Sequence, residues 1–121
     1  METIIFEVKD RVAYMTLNRP EKLNAINNAM IGDLFDSFQE IKSNPDIWVA
    51  VVTGAGRAFS TGHDLVMGRE EPEPASDAKP RGNTDNLYHF ISTVYKPVIA
   101  AINGYALAQG GGLALLSDIR I

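Results

Sequence analysis

Two glycine-bearing turns, each directly after an apolar strand, limit what this chain can become. The first is Val51-Val52-Thr53-Gly54-Ala55-Gly56-Arg57-Ala58-Phe59-Ser60-Thr61-Gly62-His63-Asp64-Leu65. The second is Pro97-Val98-Ile99-Ala100-Ala101-Ile102-Asn103-Gly104-Tyr105-Ala106-Leu107-Ala108-Gln109-Gly110-Gly111-Gly112. Strand, turn and helix in repetition specify an α/β domain with right-handed crossovers. Each turn reads as a helix start with bare backbone N–H groups, where the helix dipole favours negative charge. Two such turns facing one another would hold a developing oxyanion through main chain rather than side chains. Spacing alone does not separate that reading from glycines that merely let helices pack tightly.

The rest of the chain fits the same class. Residues 3–9 and 12–17 alternate as half-buried strands and form an opening hairpin. Residues 18–24 form a loop, because Pro20 cannot donate to a ladder. Met30, Ile31, Leu34, Phe35, Phe38 and Ile41 fall at helical spacing within 27–42, and Ser43-Asn44-Pro45 stops the helix. Residues 47–53 are continuously apolar, which predicts a parallel strand covered on both faces. Residues 68–86 are acidic and rich in proline, with almost nothing apolar, and predict a flexible surface loop. A helix at 87–95, a strand at 97–102 and a helix from 110 to 116 follow. A last strand begins near Asp118, so a chain stopping at Ile121 reads as the first part of a longer domain.

Composition narrows the function. A chain of 121 residues supports one small domain with a real core. The net charge is −4 with no basic run, which argues against nucleic acid or an anionic membrane as partner. No cysteine is present, so disulfides and thiolate chemistry are excluded. The start carries no basic-then-apolar leader, and a cytoplasmic setting is the default expectation.

Known side-chain motifs fit poorly. Gly54-Ala55-Gly56 begins like a dinucleotide fingerprint, but Phe59 stands at the third glycine position. No Gly-Lys-Ser/Thr follows it, and no Gly-x-Ser-x-Gly elbow occurs. His63 and His89 are the only histidines, and neither has a metal-like spacing with Asp or Glu, so no metal site is expected. His89 reads as an ordinary helix residue.

Four segments, taken in order, resemble the enoyl-CoA hydratase/isomerase superfamily, the crotonases. They are Leu17-Asn18-Arg19-Pro20 with Leu23-Asn24-Ala25; Val51-Val52-Thr53-Gly54; Ala58-Phe59-Ser60-Thr61-Gly62-His63-Asp64-Leu65; and Lys96-Pro97-Val98-Ile99-Ala100-Ala101-Ile102-Asn103-Gly104-Tyr105-Ala106-Leu107. The resemblance covers essentially the whole chain. It implies a crotonase-like β-β-α spiral, incomplete at the C-terminus, in a family that hosts varied reactions.

The resemblance also implies roles. One oxyanion donor is the His63 N–H. Counting back from Asp118 places the second at Gln109, where the family usually has glycine, with Gly110 as the neighbouring fallback. Together they would bind the thioester carbonyl of an acyl-CoA and stabilise an enolate. Coenzyme A, present as part of the substrate, would contact Lys22, Leu23 and Ala25 on the loop and Ser60, Gly62, Asp64 and Leu65 opposite. A solvated loop lysine explains Lys22 equally well. The hydratases of the family use two glutamates; Gly112 stands at the first position, and the second lies past Ile121. Full-length relatives form trimers or hexamers. The expectation is therefore an acyl-CoA enzyme of hydratase or isomerase type, with this segment inactive alone. The competing expectation is a non-catalytic CoA-binding or assembly module that lacks the acid/base carboxylates.

Overall fold

The computed structural model describes residues 1–64 and 84–121, with side chains of residues 84 and 85 left out of the description. The hairpin is present. Strands β1 (Ile4–Lys9) and β2 (Val12–Leu17) pair antiparallel, and Asp10 and Arg11 turn between them with φ of 51° and 68°. Helix α1 (Asn28–Ser43) starts on Asn27, whose side chain accepts from the Met30 N–H. Strand β3 (Val49–Gly54) then pairs parallel with β2. After helix α2 (Thr84–Ser92), strands β5 (Val98–Ala100) and β7 (Ile119–Arg120) extend the parallel run. The main sheet has the order β1-β2-β3-β5-β7.

The turns themselves form a second, smaller sheet. Strand β4 (Ala58–Ser60) pairs parallel with β6 (Tyr105–Ala106), and helix α3 (Gln109–Leu116) follows. Sequence patterning missed this sheet, because its strands are too short to show a period. It matters most here, because it joins the two glycine turns directly.

The core lies between the main sheet and α1. Ala13, Met15, Leu17, Ala50, Val52 and Ala100 face Met30, Ile31, Leu34, Phe38 and Ile41, all buried. Helix α2 packs beside α1, with the Phe35 and Phe90 rings 5.7 Å apart. Asp33 ties the helix to β1 by accepting from both the N–H and the hydroxyl of Thr3. Lys96 Nζ donates to the carbonyls of Ile41 and Asn44 at the end of α1, where a cation suits the dipole.

Two expectations change. Strand β3 was expected to be covered on both faces, but Ala50 and Val52 are fully buried while Val49, Val51 and Thr53 are only partly so. The registers line Tyr14, Val51, Ile99 and Ile119 in one row on that opposite face. Tyr14 and Ile119 are exposed there. Helix α2 starts at Thr84, so the last residues of the expected 68–86 loop are helical. The remainder of that loop lies outside the described residues. Among the described residues, no helix is long and apolar enough to cross a membrane.

Candidate oxyanion and acyl-CoA site

Loop 18–25 is the first wall of the site. Pro20–Lys22 form one 3-10 turn, and Leu23 and Asn24 are both left-handed, with φ of 53° and 55°. Asn tolerates that conformation better than most residues. Asn24 is fully buried and its side chain makes three hydrogen bonds to the fold. Its Oδ1 accepts from the Arg19 N–H at 2.8 Å, and its Nδ2 donates to the carbonyls of Ala55 and Ala58, each at 2.9 Å. The loop is thereby locked to the first glycine turn.

The second wall is residues 60–64. Ser60 is buried; its hydroxyl donates to the Asn24 carbonyl and accepts from the Gly62 N–H. Its carbonyl accepts from the Leu107 N–H at 3.0 Å. Ile26 forms a parallel bridge at His63, donating to the Gly62 carbonyl at 2.7 Å and accepting from the Asp64 N–H at 2.9 Å. Backbone groups alternate sides along an extended segment. The Gly62 carbonyl and Asp64 N–H point at Ile26, so the His63 N–H between them points away. It donates to no other described residue.

The third wall is the start of α3. A Cβ placed on Gly62 would lie 2.9 Å from the Leu107 carbonyl oxygen and 3.1 Å from the Gln109 nitrogen. The two glycine turns are therefore in contact at Gly62, whose φ of +95° admits glycine and little else. Gly110 does the same from the other side, since a Cβ there would collide with the Ser60 carbonyl. Gly110 N–H donates to Leu107 O at 2.8 Å. That bond engages the Gly110 N–H within the turn. Gln109 is the first residue of α3.

Ala108 precedes it with φ 48° and ψ −121°, a conformation costly for any residue with a Cβ. It sets the orientation of the peptide that carries the Gln109 N–H. Replacing Ala108 with Gly is expected to raise stability by about 1 kcal/mol through relief of that strain, read by urea denaturation. A loss of stability would show that the Ala108 methyl packs more than it strains.

A cleft of about 420 Å³ opens between these walls, lined by Lys22, Ala25, Thr61, His63, Asp64 and Ala108. Lys22 and His63 are exposed at it, Ala25 and Asp64 partly buried. Leu23 lies behind the cleft, its carbonyl accepting from the Thr61 N–H at 3.2 Å. Leu65 lies outside the described residues. Of the expected site residues, Lys22, Ala25, His63 and Asp64 meet at this cleft, while Ser60, Gly62, Gln109 and Gly110 are not among its lining.

The chain spacing that these walls require points to a family, and the comparison decides it. The profile of the enoyl-CoA hydratase/isomerase family matches residues 7–121. The chain belongs to that family. It is 40% identical over 119 residues to the (E)-benzylidenesuccinyl-CoA hydratase of Thauera aromatica, covering 98% of this chain and 46% of the relative. It is 38% identical over 123 residues to the 2,3-dehydroadipyl-CoA hydratase of Escherichia coli (strain K12), covering 100% of this chain and 46% of the relative. Among solved structures, it superposes on an enoyl-CoA hydratase from Mycobacterium marinum with a TM-score of 0.87 at 29% identity, covering 98% of this chain and 56% of the other. An enoyl-CoA hydratase/isomerase from Xanthobacter autotrophicus Py2 gives 0.83 at 34% identity, with 98% and 45% covered. The crotonase fold is therefore the fold of this chain, which spans about half the length of these curated relatives.

Within this crotonase framework, sequence reasoning passed over several working residues. Arg19 and Asn24 lie in the 17–25 segment, where local spacing shows no role for either. Asn103 donates to the carbonyls of Gly56 and Ala58 and accepts from the Gly54 N–H, bracing the first turn. Tyr88 donates to the Gln109 carbonyl at 2.6 Å, and a Cβ on Gly112 would touch its ring and hydroxyl. A polar residue inside an otherwise apolar strand-to-turn junction, as at Asn24 and Asn103, is the available signal. Tyr88 carried none. Asp118 accepts from the Val98 N–H at 2.8 Å and so aligns β5 with the final turn. Among the described residues, no group of three or more His, Asp or Glu side chains gathers as a metal site.

Proposed function

We propose that this chain carries the acyl-CoA-binding and oxyanion half of an enoyl-CoA hydratase/isomerase-type site. The thioester carbonyl would accept from the His63 and Gln109 N–H groups, and the developing enolate would be stabilised there. Coenzyme A would enter as part of the substrate, along Lys22, Leu23 and Ala25 on one wall and Gly62 and Asp64 on the other. Ser60, buried with its hydroxyl and carbonyl bonded internally, serves by holding the walls together. The observation that carries the reading is the contact of the two turns at Gly62 beside an outward-turned His63 N–H.

The relatives' names support the substrate class, since those proteins are hydratases of CoA thioesters. A trimer or hexamer and a cytoplasmic setting are part of this reading. One observation favours a second reading, a CoA-binding module without turnover. Gly112 offers no carboxylate on the first turn of α3, and Tyr88 packs over it.

Crotonyl-CoA hydration and isomerisation assays, run beside CoA titration calorimetry, separate the two. Turnover supports the enzyme; binding of CoA without turnover of any enoyl-CoA supports the module. No binding at all would overturn both.

A further inference from the structure

The Arg19–Asp64 ion pair sits where the loop wall meets the His63 segment. Arg19 Nη1 donates to Asp64 Oδ2 at 3.1 Å and to the Ala25 carbonyl at 2.6 Å. Both side chains are largely buried, with 15% and 13% exposure. A pair so enclosed is shielded from solvent screening and geometrically restrained, unlike a surface salt bridge. Arg19 also anchors its own end of the loop, since its N–H donates to Asn24 Oδ1 and its carbonyl accepts from the Lys22 and Asn24 N–H groups.

The consequence concerns the residue between two clamps. On one side of His63 the main chain is held by the Gly62 carbonyl and Asp64 N–H bridge to Ile26. Immediately beyond it, the Asp64 side chain is held by Arg19, which also grips Ala25, the neighbour of Ile26. We propose that Arg19 is a positioning residue for the His63 N–H: through Asp64 and Ala25 it fixes the peptide that donates to the substrate carbonyl. Arg19 touches no reacting atom in this arrangement. The inference rests on the reading of His63 as an oxyanion donor and extends it to a residue outside the cleft lining.

The test reads carbonyl polarisation apart from binding. A conjugated aryl-enoyl-CoA, with cinnamoyl-CoA as the probe used, absorbs at longer wavelength when its thioester carbonyl accepts strong hydrogen bonds. With wild type at saturating probe, a red shift is expected. Arg19→Met keeps the aliphatic stem but removes every donor. It is expected to lose at least about half the red shift per bound probe while its affinity for free CoA changes less than about threefold, less than the tenfold that 1.4 kcal/mol would give. Arg19→Lys should restore part of the shift. If Arg19→Met keeps the full shift, or loses CoA affinity and shift together, Arg19 has no positioning role and the proposal is overturned. If Arg19→Met does not fold, Asp64→Asn at saturating probe decides: a reduced shift supports the proposal and a full shift overturns it. A wild type that binds the probe without any shift overturns the oxyanion reading itself, a result distinct from the others.

Discussion

Gly62→Val is expected to cost about 3 kcal/mol of stability, from a strained backbone and an overpacked contact together. A β-branched residue at a φ of +95° is a severe outlier, and its Cβ would press on the Leu107 carbonyl and the Ala108 methyl. Backbone atoms cannot step aside as a flexible side chain can, so the turns must separate. Parting them moves the His63 N–H from the Gln109 N–H. If the full protein turns over an enoyl-CoA, turnover is expected to fall on the order of 100-fold or more, the loss typical of one oxyanion donor. Urea denaturation and steady-state kinetics read the two effects separately. A folded Gly62→Val protein with wild-type turnover would show that contact between the turns does not make the site.

The second large effect is at Asn24. Asn24→Ala removes the acceptor of the Arg19 N–H and the donor to the Ala55 carbonyl, and it places alanine in a left-handed conformation. Buried groups left without partners cost about 1–3 kcal/mol each. The Ala58 carbonyl is spared, because Asn103 also donates to it at 3.2 Å. A net loss near 3 kcal/mol is therefore expected, with weaker CoA binding as the loop bearing Lys22, Leu23 and Ala25 loosens. Asn24→Asp should fall between, since it keeps the acceptor and loses the donor. Thermal or urea unfolding checks this order. An Asn24→Ala loss below about 1 kcal/mol would mean that water replaces the lost bonds.

The two predictions share a cause. Gly62 and Asn24 hold together segments that are distant in sequence, and neither offers reactive chemistry. The same is true of Gly110 against Ser60 and of Arg19 against Asp64. The proposed site is made of main chain, so its precision would depend on what packs the main chain.

Much of this was legible in advance, and the reasons differ by element. Helix α1 was readable because six apolar residues mark one face and Ser43-Asn44-Pro45 ends it. The opening hairpin was readable from alternation. Strand β3 was readable as a strand, yet its half-open face was not, because a run of valines looks the same whether one face or two are covered. The β4–β6 pair was invisible, being a contact between strands of three and two residues. The proposed donor at His63 was nameable through the resemblance. The hydrogen bond from the Gly110 N–H to Leu107 was not legible in the sequence.

The sequence by itself determined the order of the helices and the main-sheet strands, the family and the two turns, because periodicity, glycine placement and local motif spacing are properties of neighbouring residues. Tertiary structure alone decided that the turns touch at Gly62, that Ile26 turns the His63 N–H away from itself, and that Arg19 reaches Asp64. Those facts join residues that stand tens of positions apart, and nothing in local spacing encodes which carbonyl a buried N–H or guanidinium will find. The packing of the folded chain settles it, because each buried polar group must find a partner or carry the cost of having none.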